Sequence, residues 1–183
     1  GTGRSFTNEY GYVGVAVVQD ELMMEGMNEK GLSAGLFYFP DYGRYEEYSE
    51  ANHETNISDF QLVSYILGRC ATVDEVKAEI AKVHIHGFDP RSSTVHWRFA
   101  EPSGRQIVLE IIDGKCVFYE NTLGVLTNSP SFDWQLTNLN NYVNLLPGRT
   151  EPHTLGNMSL SSFGGGSAML GLPGDFTPPS RFV

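Results

Sequence analysis

The sequence is short of positive charge. Twelve Lys and Arg stand against 22 Asp and Glu in 183 residues, for a formal net charge of −10. So acidic a chain is ill suited to tracking a phosphate backbone, and no nucleic-acid partner is expected. Long hydrophobic runs are missing as well. None approaches the roughly 20 residues of a membrane-spanning helix, so no membrane partner is expected. The opening Gly1-Thr2-Gly3-Arg4-Ser5 has no apolar segment of the kind a secretory leader uses. Cysteine is scarce, and Cys70 and Cys116 are too few for a disulfide framework. Both are expected as buried structural thiols, Cys70 at a helix end and Cys116 inside a strand. Whether they pair stays open, and with it the redox compartment. Gly164-Gly165-Gly166-Ser167 lacks the Gly-Lys-Ser/Thr of a phosphate loop and reads as a flexible connection. His84 and His86 could share a strand face, but no Cys or acidic residue stands at ligand spacing, so no metal is expected. No G-x-S-x-G elbow, no internal repeat and no domain linker is present.

The most informative stretch runs from Thr94 to Pro130. Val95, Trp97 and Phe99 alternate with His96, Arg98 and Ala100, the period-2 pattern of a half-buried strand. Glu101-Pro102-Ser103-Gly104 is a turn. Gln106 to Ile112 is a β-branched second strand. Asp113-Gly114 joins it to Lys115–Glu120 as a hairpin. Leu123 to Thr127 is expected as a last short strand, ending at Asn128. An amide held at a strand end is well placed to act on a ligand.

Upstream, Tyr10 to Gln19 is a nearly continuous apolar run, expected as a strand buried on both faces or lying at a layer interface. Glu21 to Met27 is its expected antiparallel partner. After the turn Asn28–Gly31, Leu32 to Phe39 completes a meander that Pro40 stops. Asp41 to Glu54, acidic and rich in tyrosine, is either a solvated loop or a substrate lip. Ser58-Asp59-Phe60-Gln61 and Thr72-Val73-Asp74-Glu75 each fit a capping box. The first opens a helix with Phe60, Val63, Ile66 and Leu67 on one face, which Gly68 could end. The second opens a helix with the stripe Val76, Ile80 and Val83. A third helix is expected from about Ser131 to Leu145. Strands and helices in separate runs favour an α+β fold over a parallel βαβ one. Pro147 to Pro179 is rich in Gly, Ser and Pro and has little periodicity. Ser180 is a plausible N-cap for a helix beginning near the end of the chain.

Four phrases, GMNEKGLSAGLFYFP, VHWRFAEPSG, LTNSPSFDWQLTNLNNY and GLPGDFTPPSRF, occur in order along nearly the whole chain. In them the sequence resembles the choloylglycine hydrolases, the conjugated bile salt hydrolases and penicillin V acylases of the N-terminal-nucleophile class. The resemblance implies an αββα sandwich, two stacked antiparallel sheets between helical layers. It implies hydrolysis of an amide in a small-molecule substrate through a cysteine thioester, with no cofactor or metal. The amine released is glycine or taurine from a bile salt, or 6-aminopenicillanic acid from penicillin V. It also implies a bacterial homo-oligomer, a tetramer, whose 147–179 excursion reaches a neighbouring subunit. Periplasm and cytoplasm are equally open.

The resemblance nominates three site residues. Asn128 matches the asparagine of the T-N-x-P phrase, whose side-chain N–H helps hold the oxyanion of the tetrahedral intermediate. The alternative is a strand-end residue making a turn. Tyr38 falls near the second oxyanion donor, a main-chain N–H. Phe37 or Phe39 could be the equivalent instead, and Tyr38 a core aromatic. Arg181 matches the arginine of the S-R-F phrase that supports the ionised nucleophile, since a nearby cation raises the thiolate fraction. Its alternative is an exposed arginine at a helix start. The family's nucleophile is an N-terminal cysteine whose own α-amine is the base. Here residue 1 is Gly, and the family's early arginine and aspartate have no counterpart. The sequence therefore reads as one catalytic-domain fragment, residues 1–183, that lacks its front and back and is inactive alone. As a second class of reading, it is an inactive structural or assembly module.

Overall fold

The computed structural model describes residues 4–142, apart from 18 and 90, and residues 152–160. Gly1–Phe132 and Asp133–Val183 form two compact units, taken separately here. In the first unit, β1 (Tyr12–Val17), β2 (Gln19–Asn28) and β3 (Ser33–Tyr38) form the expected meander. A short β4 (Asn56–Ser58) leads through a 3₁₀ turn, Asp59–Gln61, into α1 (Leu62–Leu67). Then come α2 (Val73–Ile80), β5 (His84–His86), β6 (Val95–Ala100), β7 (Gln106–Ile112) and β8 (Lys115–Glu120). The main sheet has the order β1-β2-β3-β6-β7-β8 and is antiparallel throughout. β4 and β5 pair in parallel in a sheet of their own.

The strands β6, β7 and β8 have the bounds expected from the sequence. Asp113 (φ 47°) and Gly114 (φ 74°) both take positive φ, the two-residue turn that matches strand twist, and Ile112 pairs with Lys115 across it. The Thr72 capping box forms, Thr72 Oγ1 accepting from Glu75 N at 3.2 Å, and at the first box Gln61 Oε1 accepts from Ser58 N at 3.3 Å. Helix α1 is buried on every side, not on one stripe. It packs on β2 and β3, where Gly26 makes room: a Cβ there would stand 2.8 Å from Leu67 Cδ1 and 2.7 Å from the Val13 carbonyl oxygen. The core joins this helical layer to the sheet through Leu32, Ala34, Trp97, Phe99, Ile107 and Leu109, all with no exposed surface.

Asn28 fastens sheet to helix. Its Nδ2 donates to the Leu67 and Cys70 carbonyls at 2.8 and 2.7 Å, and its Oδ1 accepts from Lys30 and Leu32 N at 3.1 and 3.0 Å. All four hydrogen-bonding positions of the buried carboxamide are thereby used.

Several expectations are corrected. The apolar run 10–19 gives an edge strand, and Val13 and Val15 are 75% and 65% exposed, because no described strand lies beyond β1. Gln19 belongs to β2. Residues 123–127 form no strand: Asn121 holds a local turn, accepting from Gly124 N through Oδ1 and donating to the Val125 carbonyl. Gly68 does end α1 as expected, but with right-handed φ (−72°) and not as a left-handed cap, and its lack of a Cβ leaves space for the Asn8 side chain. Cys116 lies in β8 as expected but is exposed, since β8 is an edge strand; Cys70 is buried, and both thiols are free. The acidic loop is not simply solvated: the Tyr45 hydroxyl accepts from Val95 N at 2.7 Å and donates to the Val95 carbonyl at 3.3 Å.

In the second unit, α3 (Phe132–Asn138, its first residue belonging to the first unit) passes into a 3₁₀ turn at Leu139–Tyr142. A hairpin that no sequence signal announced runs from β9 (His153–Leu155) to β10 (Met158–Leu160), turned at Gly156. The rest of the 147–179 excursion, with its glycine run, and Ser180 lie outside the described residues.

Candidate active site

β3 ends against the chain that follows β8. The Tyr38 N–H donates to Asn128 Oδ1 at 3.0 Å. Ser129 N donates to the Tyr38 carbonyl at 3.0 Å, and Ser129 Oγ donates to the Pro40 carbonyl at 2.8 Å. Both main-chain groups of Tyr38 are thus engaged by residues 128 and 129, although those residues form no strand. The Ser129-Pro130 peptide is cis.

Of the three aromatics considered for this position, it is Tyr38 whose N–H meets Asn128. Its side chain is 54% exposed, while Phe39 is fully buried and stacked on His96, ring centroids 4.3 Å apart. The core aromatic here is therefore Phe39. Arg181 lies outside the described residues. Tyr38 and Asn128, 90 residues apart in sequence, are brought into contact.

Below them sits a pair that the sequence reading did not single out. His96 and Glu110 are completely buried, with Nδ1 to Oε1 at 3.0 Å. The alternation of β6 had placed His96 with Arg98 on the outer face. The register carries the missed signal: Trp97 pairs with Leu109, so the next step sets His96 opposite Glu110. A carboxylate inside the apolar run Gln106–Ile112, facing an imidazole across an antiparallel pair, marks a polar pair under cover.

Neither cysteine is a poised nucleophile. Burial, helped by the Glu79 and Glu75 carboxylates, pushes the Cys70 thiol up to about 12. At neutral pH that leaves a thiolate fraction on the order of 10⁻⁵. Desolvation of the Cys116 sulfur, with Glu46 nearby, pushes that thiol up too, although the residue as a whole is exposed. His84 is held by Asn56 Oδ1 at 2.9 Å and Glu46 Oε2 at 2.6 Å, and His86 Nδ1 by the Gly87 carbonyl at 2.9 Å. Among the described residues no three His, Cys, Asp or Glu side chains are grouped to hold a metal ion, and no helix is long and apolar enough to cross a membrane.

The chain matches the family of linear amide C–N hydrolases of the choloylglycine hydrolase type over residues 2–183. It is 37% identical to a bile salt hydrolase/transferase of Clostridium perfringens, across 98% of this chain and 56% of that protein. It is 32% identical to a penicillin V acylase of Pectobacterium atrosepticum, across 75% of this chain and 39% of that one. A crystal structure of a variant of the conjugated bile acid hydrolase of Clostridium perfringens superposes with a TM-score of 0.77 at 37% identity, covering 94% of this chain and 54% of the other. The chain spans about half the length of the Clostridium perfringens relatives. The fold is α+β, of the kind these hydrolases share.

Proposed function

The chain belongs to the choloylglycine hydrolase family of linear amide C–N hydrolases, and from that premise we propose that the whole protein hydrolyses the amide joining a bile acid to glycine or taurine. The observation that carries this reading is the contact of Tyr38 N–H with Asn128 Oδ1, two residues that the family resemblance nominates as oxyanion donors. The Tyr38 N–H holds the carboxamide by its oxygen. A turn about χ2, a broad two-fold torsion, exchanges oxygen for nitrogen. Asn128 Nδ2 and the Tyr38 N–H then present two donors to one substrate oxygen. Negative charge develops on that oxygen as a thiolate adds to the carbonyl, and preorganised donors at that point stabilise the transition state. Collapse of the tetrahedral intermediate, with the proton taken from the thiol passed to the leaving nitrogen, expels glycine or taurine and leaves a thioester, which water cleaves to the free acid and the thiol.

The nucleophile in this reading is an N-terminal cysteine whose α-amine takes the thiol proton. Neither Cys70 nor Cys116 carries such an amine, and both thiols are pushed up, away from the thiolate. Residues 1–183 then contribute the oxyanion wall of the site. Arg181 supports the ionised thiol, and neither cofactor nor metal takes part. The 1–183 stretch is one part of a single catalytic domain, and its 147–179 excursion serves a homotetramer. A second reading, penicillin V hydrolysis, is favoured by the tyrosine at position 38 and by the penicillin V acylase relative. Amine release from glycocholate, taurocholate and penicillin V, measured side by side, decides between them. Faster bile salt turnover is expected, and faster penicillin V turnover overturns the assignment.

A further inference from the structure

The His96–Glu110 pair lies directly under the Asn128 segment and has no part in the chemistry above. His96 Nε2 is 3.0 Å from the Thr127 carbonyl oxygen, and His96 Nδ1 is 3.0 Å from Glu110 Oε1. A carbonyl only accepts, so Nε2 carries a hydrogen. Nδ1 faces a carboxyl oxygen. Either Nδ1 donates to a carboxylate or a protonated Glu110 donates to a bare Nδ1. Both distributions leave the pair with two protons and no net charge. The stacked Phe39 ring and the edge of Phe37, centroids 4.3 and 6.0 Å away, confine the imidazole.

Glu110 Oε1 has a second partner, accepting from Phe132 N at 2.8 Å. The pair therefore holds the chain at Thr127 and again at Phe132, the two ends of the segment that carries Asn128. Thr127 precedes Asn128 directly. Its carbonyl shares one rigid peptide plane with the Asn128 nitrogen, so fixing the carbonyl fixes where the Asn128 side chain starts.

On the reading of Asn128 as an oxyanion donor, we propose that His96 and Glu110 are positioning residues for the amide hydrolysis, a buried proton-sharing pair that sets the height and angle of the Asn128 carboxamide. A pair serving stability alone would not need to reach both ends of this segment. Glu110→Gln separates the two roles. With a neutral imidazole that keeps its hydrogen on Nε2, a carboxamide atom in the place of Oε1 can accept from Phe132 N–H or donate to the bare Nδ1, never both, and an imidazolium would be buried without its counter-charge. One of the two ties must weaken, whichever way the amide turns.

The test is made in the whole protein with glycocholate. Glu110→Gln should lower kcat at least about tenfold and leave KM within about twofold, because a misplaced donor is felt in the transition state more than in the ground state. His96→Gln, whose amide nitrogen reaches near the Nε2 position, should keep more kcat than His96→Leu. In an Asn128→Ala background Glu110→Gln should cost less than about twofold, since the residue it positions is gone. Val76→Ala, buried in α2 away from the segment, supplies a control whose Tm falls while kcat holds. The proposal is overturned if Glu110→Gln leaves kcat unchanged, or lowers it equally in both backgrounds. It is also overturned if the two His96 variants lose kcat alike. A different result, Asn128→Ala with unchanged kcat, overturns the oxyanion reading first and this proposal with it.

Discussion

Replacing Asn128 separates its two possible duties. As an oxyanion donor it is worth about 3 kcal/mol, so in the whole protein Asn128→Ala should lower kcat by about 10²–10³. As a structural residue it supplies an acceptor to Tyr38 N–H. It lies at an exposed position, where water can replace that partner. The net loss is then about 0.5–1.5 kcal/mol, a Tm shift of a few degrees. Asn128→Asp sharpens the contrast. A carboxylate oxygen still accepts from Tyr38 N–H, so the fold keeps its contact. The donor is gone, however, and a negative charge faces the developing oxyanion. Asn128→Asp should therefore be at least as damaging to kcat as Asn128→Ala while unfolding at a temperature closer to wild type. Steady-state kinetics with glycocholate and a thermal melt of each variant give both numbers. An Asn128→Asp variant with near-normal kcat would show that the residue only closes a turn, and the oxyanion reading would fall.

Glu79 sets the acid limit of the fold. Burial works to raise its pKa, but hydrogen bonds from Lys82 (2.6 Å), Tyr65 (2.6 Å) and Arg69 (2.9 Å) prevail and hold it at about 2, against an ordinary value of 4.5. A depressed carboxyl stabilises the fold fully above its unfolded pKa and loses that contribution as pH falls, so about 3 kcal/mol should disappear between pH 4.5 and 2. Denaturant titrations across that range should show the loss in wild type and a flatter limb in Glu79→Gln; parallel limbs would refute the assignment. Gly26→Ala should cost about 1–3 kcal/mol by denaturant melt, because one of the atoms its Cβ meets is the Val13 main-chain oxygen, which cannot step aside; an unchanged midpoint would show that β1 and β2 part easily. Residues 1–183 made alone should release no glycine from glycocholate, with Cys70→Ala and Cys116→Ala making no difference; activity that vanished with either substitution would identify that thiol as the nucleophile.

The central hairpins were legible because two independent signals agreed. Alternation marked β6, β-branched residues marked β7, and Asp113-Gly114 fixed the joint between β7 and β8. Capping boxes are local chemistry and were equally plain. What failed was whatever depended on neighbours. The run 10–19 is apolar enough for a buried strand, yet β1 stands at the sheet edge, and hydropathy alone does not say how many strands lie outside a given one. Leu123 to Thr127 has strand-like residues, but Asn121 offers the backbone a competing turn. The three-residue strands β4 and β5 are too short for a period to show. At the site, Tyr38 and Asn128 were found through the family's phrases, and only the fold shows that they touch. His96 was assigned to the wrong environment because period-2 logic takes the face opposite a core as solvent. Here that face is covered at its centre.

The Asn28 carboxamide also imposes an order on folding. Two of its bonds close the four-residue turn between β2 and β3, and two reach the end of α1, 39 and 42 residues later. Before the helix docks, its NH₂ group has no protein partner and the carboxamide makes only half of its final bonds. The β2–β3 turn and the end of α1 therefore reach their native geometry in the same cooperative step. The amide protons of Lys30 and Leu32, both donating to Asn28 Oδ1, become reporters of an event on another element. In native-state hydrogen exchange that of Leu32, the buried one of the two, should open together with the amides of α1 and not with a freely breathing hairpin.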